Sequence, residues 1–250
     1  MRIHAFHHLY KHRQSLSTRV FNARGAKISR CEYCQVATKH CLCGYQPDIE
    51  TNLAAMLIVS ENEVFKPSNT GRLIADVVKE TSVYQWNRTE PEEAMLAKLT
   101  DTNYYPIIVF PEDYVDDKTR LISERVEESS QLTTLLGGKT PLLVFIDGSW
   151  REARKIFRRS EYLNSLPVFS IKPESVSQYL MRKSDNEDHL STAEVASLVL
   201  AKMDEPKAAK TLEMWFETFR ESYLLTKTRL KPDLTKPALK RFLARENFEK

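Results

Sequence analysis

The chain has 250 residues, of which 42% are hydrophobic and 28% are charged, and its formal net charge is +3. This composition is ordinary for a globular protein and allows one large domain with appendages or two small ones. No run approaches the ~20 apolar residues of a membrane span, and the N-terminus lacks the apolar segment of a secretory signal, so we expect a cytoplasmic protein with no membrane partner.

Both ends of the chain are basic. Residues 1–31 contain seven Lys or Arg and no Asp or Glu, and residues 227–245 contain another seven Lys or Arg. Two basic ends favour a polyanionic partner, although two solvated, partly disordered tails are an alternative interpretation. An acid-poor, Arg-bearing N-terminus is also typical of an organelle transit peptide, but the cysteine cluster follows too closely for a long removable leader.

All four cysteines of the chain lie close together, with the spacing Cys31-x2-Cys34-x6-Cys41-x-Cys43. Four thiolates within thirteen residues suit one tetrahedral zinc ion better than two disulfides. Because the protein would supply all four ligands, we expect a structural zinc that orders a segment too short to fold alone. Disulfides and unligated thiols are the alternatives, and His40 is a less favoured fourth ligand.

The middle of the chain alternates between strand-like and helix-like patterns. Apolar runs predict strands at residues 53–59, 81–86, 107–110, 142–146 and 168–171. Helical periodicity is present at residues 73–78, 91–99, 118–136, 192–202 and 208–225, with a stop expected at Gly137-Gly138. This alternation predicts an α/β fold with a mostly parallel sheet covered by helices on both faces.

Three loops carry polar residues at the start of predicted helices. The first contains Asn69, Thr70, Gly71 and Arg72, whose amide, hydroxyl and backbone donors can hold a carboxylate or a phosphate. Ordinary N-capping explains Asn69 and Thr70 equally well. An Arg in the first turn opposes the helix dipole, so we expect Arg72 to face an anionic partner.

The second loop follows a buried strand and contains Asp147, Gly148, Ser149 and Trp150. Asp147 lies at the carboxyl edge of the sheet, where α/β proteins bind ligands, and its carboxylate can accept a proton or bind an ammonium or hydroxyl group. Ser149 can simply cap the helix, and Trp150 can simply be core.

The third loop contains Leu190, Ser191, Thr192 and Glu194, preceded by Arg182, Lys183 and His189. Ser191 and Glu194 have the spacing of a capping box, while Leu190 offers an apolar wall to a ligand. The helix after Trp150 is rich in cations, and Arg151, Arg154, Lys155 and Arg158 are candidates for RNA phosphate contacts. A solvated basic face is the usual alternative.

Together these motifs resemble the DTW-domain family of tRNA-uridine aminocarboxypropyltransferases. The cysteine cluster, the 69–72 loop, the 147–150 loop and the 190–194 loop occur in the family's order across about residues 31–200. The family's namesake motif reads Asp-x-Thr-Trp, so Ser149 is a departure, but it keeps the hydroxyl group. The basic tail from Lys227 lies outside the resemblance.

The resemblance implies a fold related to the knotted SPOUT methyltransferases and a site for S-adenosylmethionine formed by the three loops. It implies transfer of the 3-amino-3-carboxypropyl group to N3 of a uridine in the variable loop of tRNA. Asp147 would be the base for the N3 proton or the group that orients the donor's ammonium. Arg72 would bind the donor carboxylate or an RNA phosphate, and Trp150 would stack on a base.

We therefore expect four regions: a basic extension (1–30), a zinc-binding segment (31–45), a catalytic α/β domain (50–225) and a basic tail (226–250). The competing functions are an RNA methyltransferase that uses the same donor, a non-catalytic zinc-containing RNA-binding protein and, less favoured, an α/β enzyme acting on a small molecule. The sequence leaves the oligomeric state open, with a monomer as one option.

Overall fold

The computed structural model describes residues 1–18, 28–122, 129–171, 190–227 and 231–246. Its centre is a five-stranded sheet whose strands are β1 (Ala54–Val59), β2 (Thr81–Gln85), β3 (Tyr104–Val109), β4 (Thr140–Asp147) and β5 (Val168–Phe169). The strand order is β2-β1-β4-β3-β5, and every pairing is parallel. The predicted α/β class with a parallel sheet is confirmed.

Helices cover both faces of this sheet. Their bounds are α1 (Ala5–Leu16), α2 (Gly71–Val77), α3 (Glu93–Thr100), α4 (Ser129–Leu136), α5 (Trp150–Arg159), α6 (Thr192–Lys202), α7 (Pro206–Leu224) and α8 (Pro237–Glu246). Helices α3 and α5 pack on one face, and α1, α2, α6, α7 and α8 share the core on the other. No helix in these described ranges is long and apolar enough to cross a membrane.

Short 3-10 turns occupy several of the connections. They span Thr38–His40, Cys43–Tyr45, Glu63–Phe65, Glu112–Tyr114, Lys118–Arg120 and Glu161–Leu163. The turn after β1 matters most for the site, because it brings Glu63 inside the protein, where its exposed fraction is 0%.

The central strands β1 and β4 are buried on both faces, which explains their continuous apolar sequence. All six residues of β1 are buried, and the register pairs its last residue, Val59, with Asp147 at the end of β4. Successive side chains of a strand point to opposite faces. Phe145 and Asp147 therefore face α2 and α6, whereas Ile146 faces α5.

The predicted helix over residues 118–136 is wrong in its first part. The Asp117 side chain accepts a hydrogen bond from the Thr119 backbone, which favours a tight turn. The chain then becomes extended, and the Ile122 amide donates to the carbonyl of Val168 in β5. Residues 123–128 lie outside the described part of the chain. The predicted stop at Gly137-Gly138 is confirmed, because both glycines have positive φ.

Strand β3 starts three residues earlier than predicted and contains Pro106 in its interior. Proline cannot donate a ladder hydrogen bond, so it is confined to edges and to places where one neighbour is missing. At Pro106 strand β3 pairs only with β4, because β5 joins it only at Ile108 and Val109. The short fifth strand therefore makes room for the proline.

Both chain ends fold onto the core where the structure describes them, which the sequence analysis did not predict. Phe6 of α1 and Phe242 of α8 are each 2% exposed, and the Phe242 ring lies against Trp215 of α7. The guanidinium of Arg2 donates to the carbonyls of Ala75 and Asp76 at the end of α2. These residues are therefore not solvated tails, whereas residues 19–27, 228–230 and 247–250 lie outside the description.

Candidate active site and metal centre

The carboxyl ends of β1 and β4 form the natural crevice of this sheet. The connection after β1 leads outward to β2, while the connection after β4 leads the other way to β5. Ligands of open α/β sheets bind at such a reversal of direction. The two loops are already joined there, because the Ser60 amide donates to the carbonyl of Asp147 at 2.8 Å.

Asp147 is the point where the three predicted loops meet. Its side chain is 1% exposed. One carboxylate oxygen accepts from the Asn69 amide at 2.5 Å, and the other accepts from the Thr192 hydroxyl at 2.7 Å. Asn69 lies 78 positions and Thr192 lies 45 positions from Asp147 along the chain, yet both bind the same carboxylate. The predicted convergence of the three loops is therefore present.

The loop at Asn69 is tightly packed around this carboxylate. The Asn69 side chain also accepts from the Arg72 amide in the first turn of α2 at 3.0 Å, while its NH2 group donates to Asp147. Gly71 has no room for a side chain, since an added Cβ would lie 2.5 Å from an Asp147 carboxylate oxygen. Thr70 joins the third loop, because its hydroxyl accepts from the Ala193 amide at 3.4 Å.

One acidic and one basic side chain that the sequence did not predict, Glu63 and Lys66, complete the junction. Glu63 accepts from the Asn69 amide at 3.3 Å and forms an ion pair with Lys66 at 2.6 Å. Nothing in their local sequence distinguishes these residues from an ordinary solvated loop. The junction therefore holds two carboxylates near each other, with Lys66 balancing the charge of Glu63.

The capping interpretation of Ser149 and Ser191 is confirmed. Each serine forms a complete capping box, Ser149 with Glu152 at the start of α5 and Ser191 with Glu194 at the start of α6. Burial opposes ionisation of Glu152, but the hydrogen bonds from Ser149 lower the pKa of its carboxyl group. Ser149 is exposed and Leu190 to Thr192 are half-buried, so these residues form the accessible rim of the junction.

Arg72 lies inside the protein rather than at the rim. It is 2% exposed, and its guanidinium donates to the Lys66 carbonyl at 2.8 Å and lies 5.6 Å from the centre of the Phe6 ring. Its Nε atom is buried with no hydrogen-bond partner within the described chain. Burial lowers the pKa of this guanidinium, while nearby Cys34 and Asp76 oppose that shift.

Trp150 points away from the junction. Its ring stacks on Phe110 at 5.7 Å and meets Tyr114 edge-on at 5.1 Å, on the sheet face opposite Asp147. The guanidinium of Arg154 lies 5.8 Å from the Trp150 ring. The aspartate and the tryptophan of the Asp-Gly-Ser-Trp motif therefore lie on opposite faces of the sheet, because the aspartate ends a strand and the tryptophan begins a helix.

The basic residues of α5 largely face solvent. Arg151, Lys155 and Arg158 share one face at helical spacing and are exposed, whereas Arg154 is half-buried against the aromatic cluster. Within the described ranges none of these four cations forms an ion pair with a carboxylate. Helix α5 thus presents an uncompensated positive surface beside the crevice.

The four cysteines form a compact cluster that can hold a metal ion. Their Sγ atoms all lie within 4.8 Å of one another, and the pairs Cys31–Cys43 and Cys34–Cys41 are 3.5 and 3.8 Å apart. Tetrahedral zinc–thiolate geometry with bonds of ~2.3 Å requires sulfur separations of about 3.8 Å. No disulfide joins them.

The pKa values of the thiols in this cluster are shifted in opposite directions. A hydrogen bond with Cys43 is the main cause that lowers the pKa of Cys34 to about 5, and the same contact raises the pKa of Cys43. Burial raises the pKa of Cys41. The cluster is anchored to the main core by Val36 and Leu42, which are 0% and 1% exposed.

A second buried polar network, which no sequence pattern predicts, ties α1 to α2 and α7. Asp76 accepts from His4 at 3.0 Å, from Gln46 at 2.6 Å and from the Trp215 indole at 2.9 Å. Burial disfavours the anion, but these hydrogen bonds lower the pKa of Asp76. The ring of His7 stacks on His4 with centroids 3.8 Å apart.

Of the predicted site residues, Asn69, Thr70, Gly71, Arg72 and Asp147 are interior, while Gly148, Ser149, Leu190, Ser191, Thr192 and Glu194 lie around them. Arg182, Lys183 and His189 lie outside the described residues.

In comparisons with known proteins, the DTW domain model matches residues 28–224, which include all the predicted donor-site residues and cysteines. No solved structure matches the chain. The match to the DTW domain model is consistent with a role in tRNA modification. Because it spans well over half of the sequence, the chain belongs to the DTW-domain family.

Proposed function

We propose that this protein transfers the 3-amino-3-carboxypropyl group of S-adenosylmethionine to N3 of a uridine in the variable loop of tRNA. The observation that carries the proposal is the Asp147 junction, where the three loops of the family motif meet around one carboxylate. A SPOUT-like knot remains part of the proposal and rests on the family resemblance. The parallel sheet with its non-sequential strand order supports it.

The residues around the junction suit the charged amino-acid end of the donor. The Asn69 amide, the Thr192 hydroxyl and the Asp147 carboxylate come together at the crevice, and Leu190 precedes Ser191 and Thr192 at its half-buried rim. When bound, S-adenosylmethionine supplies an activated sulfonium whose bond to the aminocarboxypropyl carbon breaks as that carbon bonds to uridine N3. The sulfur leaves as a neutral thioether, and the N3 proton passes to solvent water. The protein's contribution is to orient that carbon toward the RNA.

Asp147 has two candidate roles, and its hydrogen bonds and burial favour one of them. As a base it would take the N3 proton of uridine, but both its oxygens already accept hydrogen bonds inside the protein. As a positioning residue it would orient the donor's ammonium by holding the 69–72 and 190–194 loops in the donor-binding arrangement. We propose the positioning role, because the carboxylate is only 1% exposed.

We also propose that the cysteine cluster holds a structural zinc ion and that α5 contacts tRNA phosphates. The sulfur separations match one tetrahedral ion, and all four ligands come from the protein. The cluster lies on the core beside α2, so metal binding would stabilise the wall that carries Arg72. Arg151, Lys155 and Arg158 provide the phosphate contacts, with Arg154 at their margin.

The product identifies the reaction. Purified protein, tRNA from cells lacking its gene and S-adenosylmethionine should yield a nucleoside that carries the aminocarboxypropyl group on uridine N3, detected by mass spectrometry after digestion. A gain of one methyl group would show an RNA methyltransferase instead. Binding of tRNA with no donor binding by calorimetry would show a non-catalytic RNA-binding protein.

The Asp147→Asn variant separates the two roles of the carboxylate. Its amide oxygen can still accept from Asn69, and its NH2 group can donate to the Thr192 hydroxyl, so the fold should survive. The positioning role predicts that this variant keeps its donor affinity and most of its turnover, because both hydrogen bonds survive. A fall in turnover of at least ~100-fold with unchanged donor affinity, the usual scale for a lost acid–base group, would show that Asp147 is the base instead.

A further inference from the structure

A cleft of about 330 Å³ opens at the carboxyl edge of the sheet, between the end of β2 and helix α5. Its lining includes Ser60, Gln85, Trp86, Arg88, Glu152 and Lys155. Trp86, Arg88 and Gln85 belong to none of the motifs described above. The volume falls within the range of sites that bind small organic groups.

The indole of Trp86 is held in a fixed orientation. Its N–H group donates to the buried Ser160 hydroxyl at 3.0 Å, and its ring packs at the edge of the α3 and α5 core. The ring is only half-buried, so part of it faces the cleft. The Lys155 ammonium lies 5.3 Å from the ring centre. A rigid, half-exposed ring with a cation beside it is the usual platform for stacking a nucleobase.

The charges of the cleft favour a neutral ring over a phosphate. Arg88 and Lys155 are balanced by Glu61 and Glu152, so the lining has no net formal charge. A phosphate-binding pocket would instead carry an excess of cations. That excess lies outside the cleft, on the part of the α5 surface that carries the exposed Arg151 and Arg158. Backbone phosphates and a base therefore have separate, adjacent surfaces.

A hydrogen-bonding group and a connection to the junction are also present. The side-chain amide of Gln85 lines the cleft and forms no hydrogen bond within the described residues, so its donor and acceptor can pair with a base edge. Ser60 lines the cleft, and its amide donates to the Asp147 carbonyl. Glu152 lines it as well and accepts hydrogen bonds from the Ser149 amide and hydroxyl. The cleft therefore shares the loops that follow β1 and β4 with the proposed donor site.

We propose that this cleft receives the base of an unpaired nucleotide of the RNA substrate, stacked on Trp86 and hydrogen-bonded by Gln85. The inference rests on the proposed function, because it takes RNA as the partner. It adds the surface that recognises a base, whereas α5 contacts only phosphates. An RNA held at both surfaces places its unpaired nucleotide at the edge of the sheet that carries the junction.

The test uses the full-length protein, unmodified tRNA and no donor. Trp86→Ala should weaken tRNA binding about 5- to 150-fold, the scale of one lost base–aromatic stack. The slope of log affinity against log salt should stay unchanged, because no phosphate contact is lost. Trp86→Phe keeps an aromatic ring and should keep most of the affinity. Affinity for S-adenosylmethionine, measured by calorimetry, should match the wild type in both variants.

A second measurement does not depend on the folding of the alanine variant. A uridine-rich single-stranded oligonucleotide should quench wild-type tryptophan fluorescence, and Trp86→Phe should lose that quenching while it still binds the oligonucleotide. The proposal would be overturned if Trp86→Ala bound tRNA as tightly as the wild type does. It would also be overturned if this variant bound tRNA normally but lost affinity for S-adenosylmethionine. If the wild type modifies no tRNA but binds it through Trp86, the transfer reaction fails and the cleft proposal stands.

Discussion

Replacing Gly71 by Ala would place a Cβ atom inside the Asp147 carboxylate. The new atom would lie 2.5 Å from one carboxylate oxygen, 2.7 Å from Cγ and 3.0 Å from the other oxygen. Ordinary contacts between such atoms begin near ~3.5 Å, so either the loop or the carboxylate must move by up to about 1 Å. A movement of this size would disturb the hydrogen bonds of Asp147 with Asn69 and Thr192.

The expected cost follows from two contributions. Overpacking in a close-packed interior costs about 1–3 kcal/mol, and a weakened hydrogen bond to a charged group costs about 1.5–3 kcal/mol. Alanine recovers up to about 1 kcal/mol, because it is a better helix residue than glycine in the first turn of α2. We expect a net loss of about 1.5–5 kcal/mol, which lowers the melting temperature of a chain of this size by roughly 3–20 °C.

Thermal unfolding monitored by circular dichroism measures this loss, and calorimetry with S-adenosylmethionine shows whether the donor loops are displaced. Gly44→Ala is the matched control, because an added Cβ there meets nothing within 4 Å. The control should melt like the wild type and bind the donor normally. A Gly71→Ala variant that melts and binds like Gly44→Ala would refute the close packing of the three loops around Asp147.

Three further predictions address the metal, the buried histidine and the basic helix. Changing Cys31 and Cys34 to Ser should remove one equivalent of bound zinc, measured by elemental analysis, and lower solubility. His7→Asn should flatten the loss of folding stability between pH 6.5 and 4, measured by denaturant unfolding. Changing Arg151 and Arg158 to Ala should weaken tRNA binding and reduce its salt slope by about 2, measured by anisotropy over a salt series.

The sign of the pH effect follows from the pKa of His7. Burial, and then the neighbouring His4, lower this pKa from 6.5 to about 4, although Asp76 opposes the shift. Between these values the unfolded chain binds a proton that the folded protein does not, so stability is greatest above pH 6.5 and falls toward pH 4. Identical pH profiles of His7→Asn and the wild type would contradict this explanation.

Controls for the other two predictions come from the same chain. Lys210→Ala removes an exposed cation of α7 that pairs with Glu213, so the salt slope of tRNA binding should not change. A slope unaffected by the α5 substitutions would show that this helix does not contact phosphates. Wild-type protein with no zinc after purification under reducing conditions would contradict a structural zinc ion.

The sequence determined the local elements of this fold well. Apolar runs identified all five strands, and capping residues located α6 at the bounds that the structure shows. Cysteine spacing predicted a cluster, and the Sγ atoms are close enough to bind one ion. These features depend on contacts within a few residues, which periodicity and spacing describe directly. The first part of the helix expected over residues 118–136 is wrong, because pairing of Ile122 with β5 overrides local propensity, whereas its last part is α4.

Only the tertiary structure decided which side chains meet. Asp147 and Trp150 are three residues apart, yet they lie on opposite faces of the sheet, because one ends a strand and the other begins a helix. The burial of Glu63 and the docking of α1 and α8 depend on distant partners. Strand order and the side of each crossover set those partners, and neither is encoded in the spacing of residues along one segment.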